Sequence, residues 1–158
     1  MHRDSRADLG KRSQRALELA LFLCAVLVAL FPLNDTDLWW HLASGRWIVE
    51  HRCLPTVDPF GAVTGGRPWA DVHWLFQLGL LTLHQSGGLA GIMAMKAILV
   101  GIGAILLLRV SGARHPAAHA LAVPALALAL LSVRHLLLAR PVIVTLVFLA
   151  LFLWVLER

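Results

Sequence analysis

The sequence predicts an all-α fold: a polytopic membrane helix bundle with about four transmembrane helices, plus juxtamembrane amphipathic helices in a long first external loop. Three observations predict it. Of the 158 residues, 59% are hydrophobic and only 15% charged, with a mean hydropathy of +0.76, whereas a soluble domain is nearer half apolar and about a quarter charged. Several apolar runs approach the roughly 20 residues that cross a bilayer. A basic tail precedes the first of those runs, as expected of a cytoplasmic N-terminus.

Residues 1–15 are that tail, with Arg3, Arg6, Lys11, Arg12 and Arg15 against Asp4 and Asp8. They carry much of the formal net charge of +5. No Lys/Arg run is interleaved with polar residues, so the basic balance is read as membrane orientation, with no nucleic-acid partner. Residues 16–33 form the first span, whose only charge is Glu18. The run is long for a signal peptide and no small-x-small cleavage pattern follows it. An uncleaved span exports Asn34–Asp37 and begins an external loop over residues 34–88.

Within that loop, residues 37–52 can form a helix capped by Thr36 or Asp37. Trp39, Trp40 and Trp47 suit the headgroup layer, where an indole buries its ring and keeps its N–H wet. Residues 53–71 read as loop because Pro55, Pro59, Gly61, Gly65, Gly66 and Pro68 break regular structure. Val72–Leu83, containing His73 and Gln77, is too short to span and is expected to lie in the interface or enter the membrane part way. A tilted full crossing is the alternative, and it would reverse every later orientation. The run His84-Gln85-Ser86-Gly87-Gly88 ends it.

Residues 89–158 are read as a three-helix transmembrane bundle. Leu89–Val110 is a span with one internal charge, Lys96, and it ends in a short basic turn through Arg109, Arg114 and His115. If the preceding helix does not cross, that turn is cytoplasmic and obeys the positive-inside rule. Ala117–Val133 returns outward with Pro124 tolerated inside it. Arg134, His135 and Arg140 then mark an external boundary, and Pro141–Leu156 crosses inward. Cys24 and Cys53 are too differently placed to pair.

The topology brings three polar groups to the external side: Asp35, Asp37 and His41 after the first span; Arg67, Asp71 and His73 at the end of the loop; and Arg134, His135 and Arg140 between the last two spans. A carboxylate there can serve as general base, and Arg forks can hold phosphate. Asp35-Thr36-Asp37 follows the first span, Gly66-Arg67-Pro68-Trp69 and Trp74 lead into a short helix, and Ala139-Arg140-Pro141 enters an apolar one. This layout resembles the N-terminal part of the GT-C superfamily of polytopic glycosyltransferases. The string from Asp35 to Leu78 also resembles a set of bacterial membrane proteins of that type.

The resemblance implies a multi-pass protein of the bacterial inner membrane that takes sugar from a polyprenyl-phosphate donor on the external face. It implies Asp35 or Asp37 as catalytic base and Arg67, Arg134 and Arg140 as donor-phosphate ligands. His41, Asp71 and His73 would support them. Some members use a divalent metal ion near the acidic motif, which leaves His41 open as a ligand. Such enzymes carry more spans than are read here, so the resemblance implies an N-terminal portion completed by further helices or a further membrane subunit.

Structural alternatives stand beside each reading. Asp37 is a good N-cap, the Trp residues form an interfacial belt, and Arg134 and Arg140 anchor helix ends in headgroups. Lys96 snorkels, pairs with another span or meets a partner. The sequon at Asn34 is discounted because it lies hard against the bilayer. In the alternative function the chain is a non-catalytic membrane subunit or scaffold, whose Trp-rich loop contacts lipid or a partner.

Overall fold

Five α-helices follow one another among the residues that the computed structural model describes, which are 2–33, 35–62, 66–111 and 116–157. The Asn34 sequon, Gly65 and the 112–115 part of the basic turn lie outside those residues. The helices are α1 (His2–Ala29), α2 (Thr36–His51), α3 (Trp74–Val110), α4 (Pro116–Ser132) and α5 (Pro141–Leu156), with a 3₁₀ turn at Arg134–Leu136. The expected all-α class is therefore present. The four-span count is not matched by four full-length spans. Among the described residues only α3 is both long and apolar enough to cross a bilayer, while Ala117–Ser132 and Pro141–Leu156 are shorter apolar helices.

The basic stretch over residues 1–15 is continuous with the first apolar run, since α1 runs unbroken from His2 to Ala29. The helices that the sequence separates at 84–88 are indeed two: the stretch Trp74–Val110 breaks at Gly88 (φ 59°, ψ −152°), and the chain doubles back there, since a Cβ on Gly91 would stand 3.0 Å from the Leu83 carbonyl oxygen. That conformation disfavours side chains with a Cβ, so Gly88 supplies the turn expected of Gly87-Gly88.

The chain divides into two compact units: unit 1 comprises Met1–Pro32 and Met93–Arg158, and unit 2 comprises Leu33–Ile92. In unit 1, Leu21, Ala25 and Ala29 recur every four residues along α1 and meet Ala97, Val100, Ala104 and Leu108 of α3, with Val123 of α4 and Ile143 of α5. Four of these nine are alanine, which lets the helix backbones approach closely. Gly101 belongs to the same logic: a Cβ there would stand 2.6 Å from the Phe22 ring. Pro32 ends the path of α1, and Pro141 opens α5 at a position where its missing N–H costs nothing.

Unit 2 is built on α2 and the first turns of α3. The buried stripe of α2 is Leu38, His41, Leu42, Ser44, Gly45 and Ile48. Fully burying Leu38 contributes about 1.5–3 kcal/mol. Gly45 is where the two helices come closest, since a Cβ would lie 2.7 Å from the Gln77 carbonyl oxygen. Helix α2 stops at Arg52, which takes a left-handed conformation (φ 54°) and donates its N–H to Ile48 O at 2.8 Å. The loop beyond has more order than its prolines and glycines suggest. Val57 and Pro68 form an antiparallel bridge, Asp58 N–H donates to Arg67 O and Trp69 N–H to Thr56 O. Asp58 Oδ1 also accepts from Phe60 and Gly61 N–H.

Candidate functional site

The buried polar residues of unit 2 gather where α2 and α3 begin. Asp35, expected to be a site carboxylate or a solvated end, is the N-cap of α2: its Oδ1 accepts the Asp37 N–H at 3.1 Å, and it is buried. The cap is thus one residue earlier than Thr36 and two earlier than Asp37. Asp37 itself is exposed in the first turn of α2. His41 stands one turn further on, at i,i+4 from Asp37 and hence on the same face.

Asp71 plays the corresponding part for α3. Its Oδ1 accepts the His73 N–H at 3.1 Å and the Gln77 Nε2 at 3.0 Å. The second contact joins two buried side chains. His41 packs edge-on to His73 (ring centroids 5.9 Å apart) and to Phe76 (5.4 Å). Three atoms of this group are buried with no hydrogen-bond partner: His41 Nδ1, Asp71 Oδ2 and Gln77 Oε1. Each such group ordinarily costs about 1–3 kcal/mol, and native interiors hold few of them.

Burial lowers the His41 pKa from its ordinary 6.5; the neighbouring His73 lowers it further, while Asp37, Asp35 and Asp71 pull the other way. The net result is an imidazole that stays neutral near pH 7 and has an unpartnered ring nitrogen. Such a group can take a proton from a bound hydroxyl or hold that hydroxyl in place.

The other residues expected at the site are more scattered. His73 is exposed at the entrance to α3. Arg67 is exposed in the loop, and its carbonyl holds Asp58. Arg134 and Arg140 belong to unit 1. Arg134 lies in the 3₁₀ turn with its guanidinium 5.6 Å from the Phe31 ring, and Arg140 is the half-buried N-cap residue of α5. Of the Trp residues, Trp39 and Trp40 are exposed, Trp40 also touching Phe60 and Trp69, and Trp47 stacks on His51 at 4.1 Å.

Gln77, expected only as part of a helix, joins the site without having been assigned a role in it. Its signal in the sequence is a lone amide in the apolar run Leu75-Phe76-Gln77-Leu78, six residues after Asp71. As for the divalent metal suggested by the resemblance, no group of three or more His, Cys, Asp or Glu side chains among the described residues is arranged to hold one. No protein-family model, curated protein or solved structure matches the chain.

Proposed function

We propose that the chain is part of a multi-pass membrane glycosyltransferase of GT-C type, which moves sugar from a polyprenyl-phosphate donor on the external face, with its N-terminus in the cytoplasm. The observation that carries this reading is the set of three buried, unpartnered polar atoms on His41, Asp71 and Gln77. Two acceptors and an imidazole nitrogen suit the hydroxyls of a sugar or other alcohol, each of which both donates and accepts. Asp37 is the stronger of the two base candidates, because Asp35 commits an oxygen to its helix cap. His41 would support it from one turn away. Arg67 is the cation of the same unit assigned to the donor phosphate.

The test is lipid-linked sugar transfer in native membranes whose chromosomal copy carries Asp37→Asn. Transfer should fall by about 10²–10⁴-fold, the usual weight of a general base, while the chain remains in the membrane at normal level. Unchanged transfer in Asp37→Asn and in His41→Gln would remove the catalytic assignment.

A second reading, a non-catalytic membrane subunit, is favoured by one specific observation. Asp35 and Asp71 each use an oxygen to start a helix, which a purely structural carboxylate would also do. On that reading the two acids affect folding, and no chemistry is lost with Asp37.

A further inference from the structure

Unit 1 carries a groove that shares no residue with the acidic cluster. Helices α1 and α3 run antiparallel there: Phe31, just past α1, meets Lys96 of α3, and Phe22 meets Gly101. Past the Phe22–Gly101 contact an open groove of about 300 Å³ is lined by Phe22, Ile102, Ile105, Leu106 and Arg109. Four walls are apolar, and the fifth residue is an exposed cation at the C-terminal turn of α3. The volume reaches the lower end of the roughly 300–1,000 Å³ typical of ligand clefts.

Charge and register decide what the groove suits. Arg15 precedes Phe22 by seven residues, about two helical turns, so it sits on the same face of α1 and about 10 Å beyond it. Arg109 follows Gly101 by eight residues, about 12 Å along α3. The two guanidinium-bearing positions therefore lie at one level, beyond the apolar walls. Glu18 lies between Arg15 and Phe22 and offsets one charge. Trp154 of α5 packs at the same end, its ring 5.7 Å from the Arg109 guanidinium, as an amphipathic indole does at a bilayer boundary. An apolar trough that ends in paired arginines matches a molecule with a hydrocarbon tail and an anionic head. A guanidinium fork grips phosphate in two places.

We propose that this groove binds an anionic phospholipid from the leaflet at which α1 begins, one acyl chain lying along Phe22, Ile102, Ile105 and Leu106 and the phosphate resting against Arg109 and Arg15. A zwitterionic lipid brings its own cation to the arginines and gains less there. This goes beyond the proposed activity and uses none of its residues.

The test uses the unaltered full chain in phosphatidylcholine vesicles doped, at equal mole fraction, with phosphatidylglycerol or phosphatidylcholine bearing a photoreactive group on the acyl chain. Cross-links are mapped by mass spectrometry. Labelling of Phe22 and Ile102–Leu106 should be several-fold higher from phosphatidylglycerol, while labelling of the exposed Phe148 and Phe152 should not discriminate. Replacing Arg109→Gln and Arg15→Gln together, both exposed, should abolish that preference. Equal labelling by the two lipids in the unaltered chain, or a preference that survives both substitutions, would overturn the proposal.

Discussion

The molecule buries charge in two ways, and the contrast separates structure from chemistry. In unit 1, Lys96 is fully buried. Its Nζ donates to the Phe31 carbonyl at 3.2 Å and sits 3.6 Å from the Phe31 ring. A cation meeting a carbonyl just past the C-terminus of α1 pairs with a loop acceptor and lies near the negative end of that helix. Its ammonium is thus met within unit 1. In unit 2, Asp71 and Gln77 satisfy each other through one pair of atoms and leave Oδ2 and Oε1 unpaired, and His41 leaves Nδ1. A folded chain tolerates such a half-finished network when something else completes it, so the same degree of burial is read as packing in one unit and as a site in the other.

Breaking each side of that contrast should give effects of graded size. Lys96→Ala should be the costliest change, about 2–5 kcal/mol as for other large core truncations. Lys96→Met, which keeps the volume and drops the charge, should cost much less, about 1.5 kcal/mol or under. Denaturant titration in micelles measures both, and equal costs would show that the charge matters more than the packing. Next, Gly45→Ala should cost about 1–3 kcal/mol, because its Cβ would meet backbone rather than a movable side chain.

Asp35 divides cap from catalyst. Asp35→Ala should lower stability by about 1 kcal/mol through the lost cap, whereas Asp35→Asn should leave it nearly unchanged, since the amide oxygen still accepts from Asp37 N–H. Thermal melts of the pair settle it. The smallest effect is the pH dependence due to His41. Its pKa is lower folded than unfolded, so the unfolded chain binds the extra proton first. The contribution of this residue is full above its ordinary 6.5 and is lost as pH falls through the lower folded value. Melting temperature should therefore decline on acidification below that point, and the decline should be shallower in His41→Gln.

Much of the secondary structure was legible because hydrophobic runs and prolines are local signals. Pro141 marks the start of α5, and the Trp74–Val110 region is apolar enough to declare itself. Less legible was anything decided by packing across helices. The cap at Asp35 was missed by one or two residues because Asp, Thr and Asp all cap well. The partner of Lys96 is a backbone carbonyl 65 residues away, and backbone acceptors leave no mark in the residue pattern. Asp71 and His73 were visible as titratable residues near a helix start. Gln77 was not, since its importance comes from facing Asp71 and Gly45 and not from its own chemistry.

Whether the His41–Asp71–Gln77 cluster is left unfinished for a ligand comes down to His41→Leu, scored for both melting temperature and lipid-linked sugar transfer in native membranes. Removing an unsatisfied buried polar group should leave the melting temperature unchanged or raised, while transfer should fall by at least about 10²-fold. A lowered melting temperature with normal transfer would make the cluster part of the scaffold and overturn its reading as a site.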